Sequence, residues 1–323
     1  MARIGSHHST LATQLSFTPK MPQVSVIIPT RNRGEYLGAA LKSVLGQRFG
    51  DFEVIVVDDA GSAGGTGCAE NCRDPRVRLL RHAQRRGGAA ARNTGIAAAR
   101  APYIAFLDDD DEWYPDKLAL QMGLIESRPA HVGAVYSGYH IVQGERILGQ
   151  MIPAQSGKLG TALMSENLIG GTSSVLARRR ALDDVGGFDE RLASFQDYDL
   201  WLRLAQKYDF ECISAPLLKY RVHGRKIWTD LGALESGLDL MLQKYGAHPA
   251  FQKKSSRYYL SLGIQYCRRD DLPRGLEALR KAIRLDPYGL RSYFYLAAAM
   301  VARRNFDRLV SAKERVFAGM MRR

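Results

Sequence analysis

The sequence predicts an α/β protein, a mostly parallel sheet flanked by helices, followed by a small all-helical extension. Three observations carry this. Strand-length apolar runs alternate with helical patterns from Val24 to Ser127, the alternation that builds parallel sheets with right-handed crossovers. Two of these runs, Phe52 to Val57 and Tyr103 to Leu107, stop abruptly at carboxylates. Beyond about residue 256 the spacing becomes that of a helical repeat.

Taken in order, Val24 to Ile28 reads as a buried strand, ended by Pro29-Thr30-Arg31-Asn32-Arg33. Apolar residues at 37, 41, 44 and 45 give Glu35 to Gln47 helical spacing. Phe52 to Val57 is a second strand and Val77 to Leu80 a short third. Gly87-Gly88-Ala89-Ala90-Ala91 opens a helix of small residues running to about Arg100. Tyr103 to Leu107 is the fourth strand and Leu118 to Ser127 a helix. Gly133 to Ser137 follows as a strand, and Gln143 to Met151 suggests a strand pair around Gly144. Leu200, Trp201, Leu204 and Ala205 mark a helix with Asp197 in its first turn, and Pro216 to Val222 is an apolar strand leading to His223.

Composition bounds the function. At 323 residues, 46% hydrophobic and 24% charged, the chain suits one large α/β domain with an appendage. No apolar run approaches the ~20 residues of a spanning helix, and Met1 to Lys20 lacks a signal-peptide core. A cytoplasmic protein is expected, with residues 1–21 as a disordered leader. The net charge of +13 suits an anionic partner such as a phosphorylated substrate or the inner face of a membrane. Nucleic acid is not expected, because no RNA-binding or helix-turn-helix signature accompanies the charge. The four cysteines, Cys68, Cys72, Cys212 and Cys267, lack the second ligand pair of a zinc site and read as free thiols.

The chemistry concentrates at Asp108-Asp109-Asp110-Asp111. Four adjacent carboxylates repel one another unless solvated or neutralised by a cation. A solvated turn is the simpler account of an acidic run, but this one follows a strand directly. Ligands of open α/β sheets bind at the carboxyl ends of strands. Oxygen-rich clusters of this kind suit Mg2+ or Mn2+. Asp59, at the end of the second strand, is placed to accept a hydrogen bond from a ring N–H of a base. Asp108 to Asp110 can hold a ribose hydroxyl and a metal that bridges a diphosphate. The glycines from Gly61 to Gly67 do not form a dinucleotide-binding loop: G-x-G-x-x-G is absent and the preceding acids repel phosphate.

Val-Ser-Val-Ile-Ile-Pro-Thr-Arg-Asn-Arg (24–33), Val-Val-Asp-Asp (56–59), Arg-Asn-Thr-Gly (92–95) and Phe-Leu-Asp-Asp-Asp-Asp-Glu-Trp (106–113) together resemble the family 2 glycosyltransferases of the GT-A fold. The resemblance covers roughly residues 22–226 and implies a GT-A domain at 22–228. It places Pro29, Thr30, Asn32, Asp59, Arg92, Asp108 and Asp109 around the nucleotide sugar, with Asp59 reading the base. It implies Asp110 as a metal ligand and His223 as a second contact to the metal or diphosphate, with Mn2+ or Mg2+ as cofactor. A lone histidine beside an apolar strand is also often only structural. The resemblance further implies Asp197 as catalytic base; taken alone, an acid in the first turn of a helix is accounted for by the helix dipole. The family's acidic neighbour of the base is here an amide, Gln196.

The expected reaction is metal-dependent, inverting transfer of a sugar from a nucleotide-diphosphate donor, UDP by preference, to a hydroxyl. The acceptor is expected to be a saccharide or lipid-linked saccharide of surface polysaccharide synthesis. A nucleotidyltransferase is the alternative enzyme, although it wants a Gly-rich basic loop after the first strand where this chain has Gly34 alone. A non-catalytic interaction protein acting through its helical repeat is the other alternative. Residues 229–323 are expected to form that extension. Tyr259, Leu262, Gly263, Tyr266, Gly275, Leu279, Ala282 and Pro287 fit a tetratricopeptide-like repeat at about 256–300. The basic surface and this tail suit a peripheral contact with a membrane or another protein. On this reading the tail serves docking, and a chain ended after about Tyr245 would keep donor hydrolysis.

Overall fold

A computed structural model of the chain describes residues 21–62, 64–222, 230–302 and 306. The chain runs β1 (Val24–Thr30), α1 (Gly34–Leu45), β2 (Phe52–Asp58), α2 (Gly67–Glu70), β3 (Val77–Arg81), α3 (Gly88–Ala98), β4 (Tyr103–Phe106), β5 (Glu112–Trp113) and α4 (Lys117–Glu126). It continues through β6 (Val132–Gln143), β7 (Arg146–Met151), α5 (Gly160–Ser165), a 3-10 turn (Thr172–Ser174), β8 (Val175–Arg178), α6 (Arg179–Val185), α7 (Gln196–Leu204) and β9 (Asp209–Arg221). The helices α8 (Leu231–Tyr245), α9 (Pro249–Arg268), α10 (Leu272–Leu285) and α11 (Leu290–Ala302) close the described chain.

The strands form one sheet in the order β3-β2-β1-β4-β8-β6-β9-β5, with β7 paired to β6. The mostly parallel sheet expected from sequence is parallel across β3-β2-β1-β4. Beyond β4 the sheet is mixed, because β8 runs antiparallel to both β4 and β6. β8 is a four-residue strand fed by a 3-10 turn that follows the short helix α5. Its brevity hid it from sequence periodicity. β9 begins seven residues before Pro216, the start expected from sequence. Pro216 falls where the β6–β9 register shifts, the kind of position a strand proline can occupy.

Continuous apolar runs in β1 and β2 reflect burial on both faces. One face carries α1 and α4, packed through Leu37, Leu41, Leu118 and Met122. The other carries α3 and α7, with Ile96, Leu200 and Trp201 in its core. α3 is built of small residues because it lies almost on β1: a Cβ at Gly95 would come within 2.4 Å of Ile27 Cγ2.

The extension is no detachable appendage. Met241 and Tyr245 of α8 and Phe251 of α9 belong to the same core as Tyr198, Leu200 and Trp201. Cutting after Tyr245 would remove Phe251 from that core, so the sequence-based division at 228 separates elements that share one interior. α9 and α10 form a close antiparallel pair, tight enough that a Cβ at Gly275 would meet Cys267 Sγ at 2.3 Å. We expect Phe251→Ala to lower unfolding free energy by about 3–5 kcal/mol, the range for deleting a buried phenylalanine. Chemical denaturation checks this, and a loss below 1 kcal/mol would contradict the shared core.

Candidate active site

Parallel register sets the strand ends side by side. Thr30 pairs with Asp58 and Ile27 with Phe106, so the segments after β1, β2 and β4 open on one edge of the sheet. A cleft of about 360 Å³ lies there, lined among others by Pro29, Thr30, Asp59, Arg92 and Asp108 to Asp110. That volume is in the range of small-ligand sites.

Asp59 anchors one end. Its carboxylate accepts the backbone N–H groups of Arg86 and Gly87, each at 2.8 Å, and lies 2.8 Å from His82 Nδ1. Burial pushes its pKa up, but these donors outweigh burial and hold the carboxyl below the ordinary range. Asp59 therefore shapes the Arg86–Gly87 turn as well as facing the cleft. Asn32 is not brought into the lining. Its backbone is left-handed, at φ 56°, and its Oδ1 accepts from the backbone N–H and hydroxyl of Ser62 at 2.5 and 3.0 Å. It ties the loop after β1 to the loop after β2.

The four aspartates divide their work. Asp108 Oδ1 accepts Arg92 Nη2 at 2.6 Å and the Thr172 hydroxyl at 3.0 Å, while its backbone N–H donates to Ser173 Oγ at 3.0 Å. Asp109 accepts the Thr30 hydroxyl at 2.7 Å and Arg33 at 3.1 Å. Burial raises the Asp109 pKa to about 6 against the pull of Arg33. Asp110 also accepts Arg33, at 3.1 Å. Asp111 is buried and accepts the backbone N–H of Arg221 at 3.1 Å, where β5 meets β9.

Carboxylate oxygens of Asp108, Asp110 and Asp111 lie within 4.8 Å of one another. This compact set of hard oxygen donors fits one divalent ion of the Mg2+ or Mn2+ kind. Sequence reasoning singled out Asp110 and not Asp111, because only folding shows which members of an acidic run turn together. Arg33 was missed as well; the signal available was its place in the loop after β1. His223 lies outside the described residues.

Asp197 stands in the first turn of α7. Burial raises its pKa to about 6, with Asp108 adding to the rise and Arg92 opposing it. Arg92 joins the acid turn to the start of α7, donating to Asp108 on one side and to Gln196 Oε1 at 3.0 Å on the other. The amide at 196 thus supplies the acceptor that a carboxylate would, without its charge. Asp199, two residues on, is fully buried and consumed by other partners. It accepts Arg203 Nε and the Tyr245 hydroxyl, each at 2.8 Å, and pairs with Lys244.

A half-parallel, half-mixed sheet with an acid turn and arginines around one strand-end cleft, tied by Arg92 to the helix that carries Asp197, is the architecture of GT-A glycosyltransferases. Residues 25–186 match the model of Glycosyl transferase family 2. The chain is 29% identical over 201 residues to UDP-Glc:alpha-D-GlcNAc-diphosphoundecaprenol beta-1,3-glucosyltransferase WfgD of Escherichia coli, covering 62% of this chain and 77% of that one. It is 33% identical over 212 residues to the amylovoran biosynthesis glycosyltransferase AmsB of Erwinia amylovora, covering 61% and 69%. Among solved structures, S. aureus TarS 1-349 in complex with UDP-GlcNAc superposes with a TM-score of 0.64 at 18% identity, over 91% of both chains. The mannosyltransferase PcManGT from Pyrobaculum calidifontis, in complex with GDP-Man and Mn2+, gives 0.55 at 20% identity, over 94% of this chain and 87% of that one. The chain belongs to glycosyl transferase family 2 and is a glycosyltransferase. The readings as a nucleotidyltransferase or a non-catalytic interaction protein give way to this. No helix among the described residues is long and apolar enough to cross a membrane.

Proposed function

We propose that the protein is a divalent-metal-dependent, inverting glycosyltransferase that uses a UDP-sugar and a hydroxyl acceptor. The observation that carries this reading is the bridge made by Arg92, a residue of the cleft lining that ties Asp108 to Gln196, the neighbour of Asp197.

Asp59 and the Arg86–Gly87 turn hold the base end of the nucleotide, beside Pro29 and Thr30. Asp108, Asp110 and Asp111 would hold a Mg2+ or Mn2+ ion, with His223 as a further candidate. When bound, such an ion neutralises charge growing on a departing diphosphate. Arg92 and Arg33 keep the acid turn in place. Asp197 accepts the proton of the acceptor hydroxyl as its oxygen attacks the anomeric carbon. The bond from that carbon to the diphosphate breaks, and its electron pair leaves with the nucleotide. Attack from the opposite face inverts the centre, and no covalent enzyme intermediate is needed.

The acceptor is read as a saccharide or lipid-linked saccharide in surface polysaccharide synthesis, by analogy with the names of the two relatives above. The net charge of +13 supports a peripheral contact with an anionic membrane surface, where such acceptors lie. The close α9–α10 pair supports a tetratricopeptide-like unit that assists docking.

A base must be ionised to take a proton, so activity is expected above about pH 6 and lost as pH falls through the Asp197 pKa of about 6. Below it the rate should drop about tenfold per unit. A pH–rate profile of donor hydrolysis checks this, and a flat profile down to pH 4.5 would contradict it. The donor is tested by thermal stabilisation with a panel of UDP-, dTDP- and GDP-sugars, with and without Mn2+. A UDP-sugar is expected to raise the melting temperature most, and only with metal. Equal shifts without metal would overturn the metal-dependent reading.

A further inference from the structure

Helix α9 lies beyond the stretch matched by the family model, yet one of its faces packs on the segment carrying Asp197. Phe251, Lys254 and Tyr258 share that face at i, i+3 and i+7 spacing. Phe251 stacks on Tyr198, with ring centroids 6.2 Å apart. Lys254 Nζ lies 3.9 Å from the centroid of the same ring, and Tyr258 meets Phe195 edge-on at 5.2 Å. These contacts bracket Asp197 from both sides in sequence.

Lys254 is 7% exposed. Its ammonium is buried and has no hydrogen-bond partner among the described residues. Burying a cation without a hydrogen-bonded counter-charge is costly, and the face of the Tyr198 ring offsets only part of that cost. A methionine of similar length would fill the space and rest on the Tyr198 ring without that cost. The charge itself therefore needs a reason. The anions acting on it are Glu166, at the exposed end of α5, and Asp197.

We propose that Lys254 is a positioning residue for sugar transfer, a cation held by the helical extension behind Asp197 that keeps this carboxylate ionised and ready to accept a proton. The proposal rests on the reading of Asp197 as the base. Arg92 of α3 and Asp108 after β4 are the charged groups that act most on Asp197, and Tyr139 of β6 and Lys254 and Tyr258 of α9 feel its charge in turn. Asp199 of its own helix points elsewhere and is neutralised by Arg203 and Lys244. Arg92 already serves Asp108 at 2.6 Å, which leaves Lys254 as the cation with no competing hydrogen bond. Burial draws Lys254 down to about 8, so its charge is largely present at neutral pH.

The test is a carboxyl titration of the full chain by NMR with 13C-labelled aspartate, the Asp197 signal being assigned by its loss in Asp197→Asn. In Lys254→Met the midpoint should move upward by roughly half a unit or more, since removing a positive charge favours the neutral acid. Lys254→Arg should hold it near the native value. The acid limb of UDP-glucose or UDP-N-acetylglucosamine hydrolysis should move with the midpoint, a change that packing alone does not produce. An unmoved midpoint in folded Lys254→Met overturns the proposal. If that variant fails to fold, Lys254→Gln is read in the same way; failure of both makes Lys254 structural and also overturns it. Full turnover by Asp197→Asn would instead overturn the base reading, with the midpoint shift still measurable.

Discussion

Asp197→Asn is expected to slow sugar transfer by roughly 10²–10⁴, the usual loss on removing a general base, while nucleotide and metal binding stay near native. The amide keeps the shape and the capacity to accept a hydrogen bond from the Tyr198 backbone N–H, now at 2.7 Å, but it cannot take a proton. Asp199→Asn is the paired control. Residues two apart on a helix point about 200° from each other. Asp199 accordingly faces Arg203, Lys244 and Tyr245 and not the cleft. Neutralising this fully buried carboxylate takes a shared counter-charge from the part-buried Arg203 and Lys244 and is expected to lower stability by roughly 3–5 kcal/mol. Transfer rates and denaturation curves for both variants separate the two roles. A near-native rate in Asp197→Asn, with a collapse in a stably folded Asp199→Asn, would move the base to residue 199.

Asp110→Ala is expected to abolish the enhancement of nucleotide binding by Mn2+. A bound ion's charge stabilisation of several kcal/mol corresponds to a loss of about 10²-fold or more in metal-dependent affinity. The substitution leaves Asp109 to hold Arg33 at 3.1 Å, so the loop after β1 keeps an anchor. Calorimetric titration of UDP with and without Mn2+ measures the effect directly. Undiminished, metal-enhanced binding would remove Asp110 from the ligand set. The same titration on Asp111→Ala tests the residue that sequence reasoning passed over. Its control is the melting temperature, because Asp111 also accepts the Arg221 N–H that joins β5 to β9.

The α/β class, the acid turn and the helix start at Asp197 were legible in the chain. Each is a local pattern: apolar run against carboxylates, small residues at helical spacing, an acid ahead of an amphipathic stretch. Asp59, Asp108, Asp109 and Arg92 do line the cleft, since strand ends in a parallel half-sheet share an edge by register. The mixed half was not legible in the same way. β8 is too short to show a period, and its antiparallel pairing depends on neighbours far along the chain.

Asn32 shows a second limit. Its side chain is spent on Ser62 because the backbone turns left-handed there, which residue identity alone does not announce. Asp199 shows a third: beside Asp197 in sequence, it differs in role only because Lys244 and Tyr245 arrive from α8. By itself the sequence determined which residues could carry charge and chemistry, and that the tail would be helical. Only the tertiary structure decided which carboxylates are neutralised by the protein and which face the cleft, and that α8 and α9 complete the core around α7. The reason is physical. Periodicity reports the face an element buries, whereas the protonation and partners of a buried acid depend on groups brought within a few ångströms by packing.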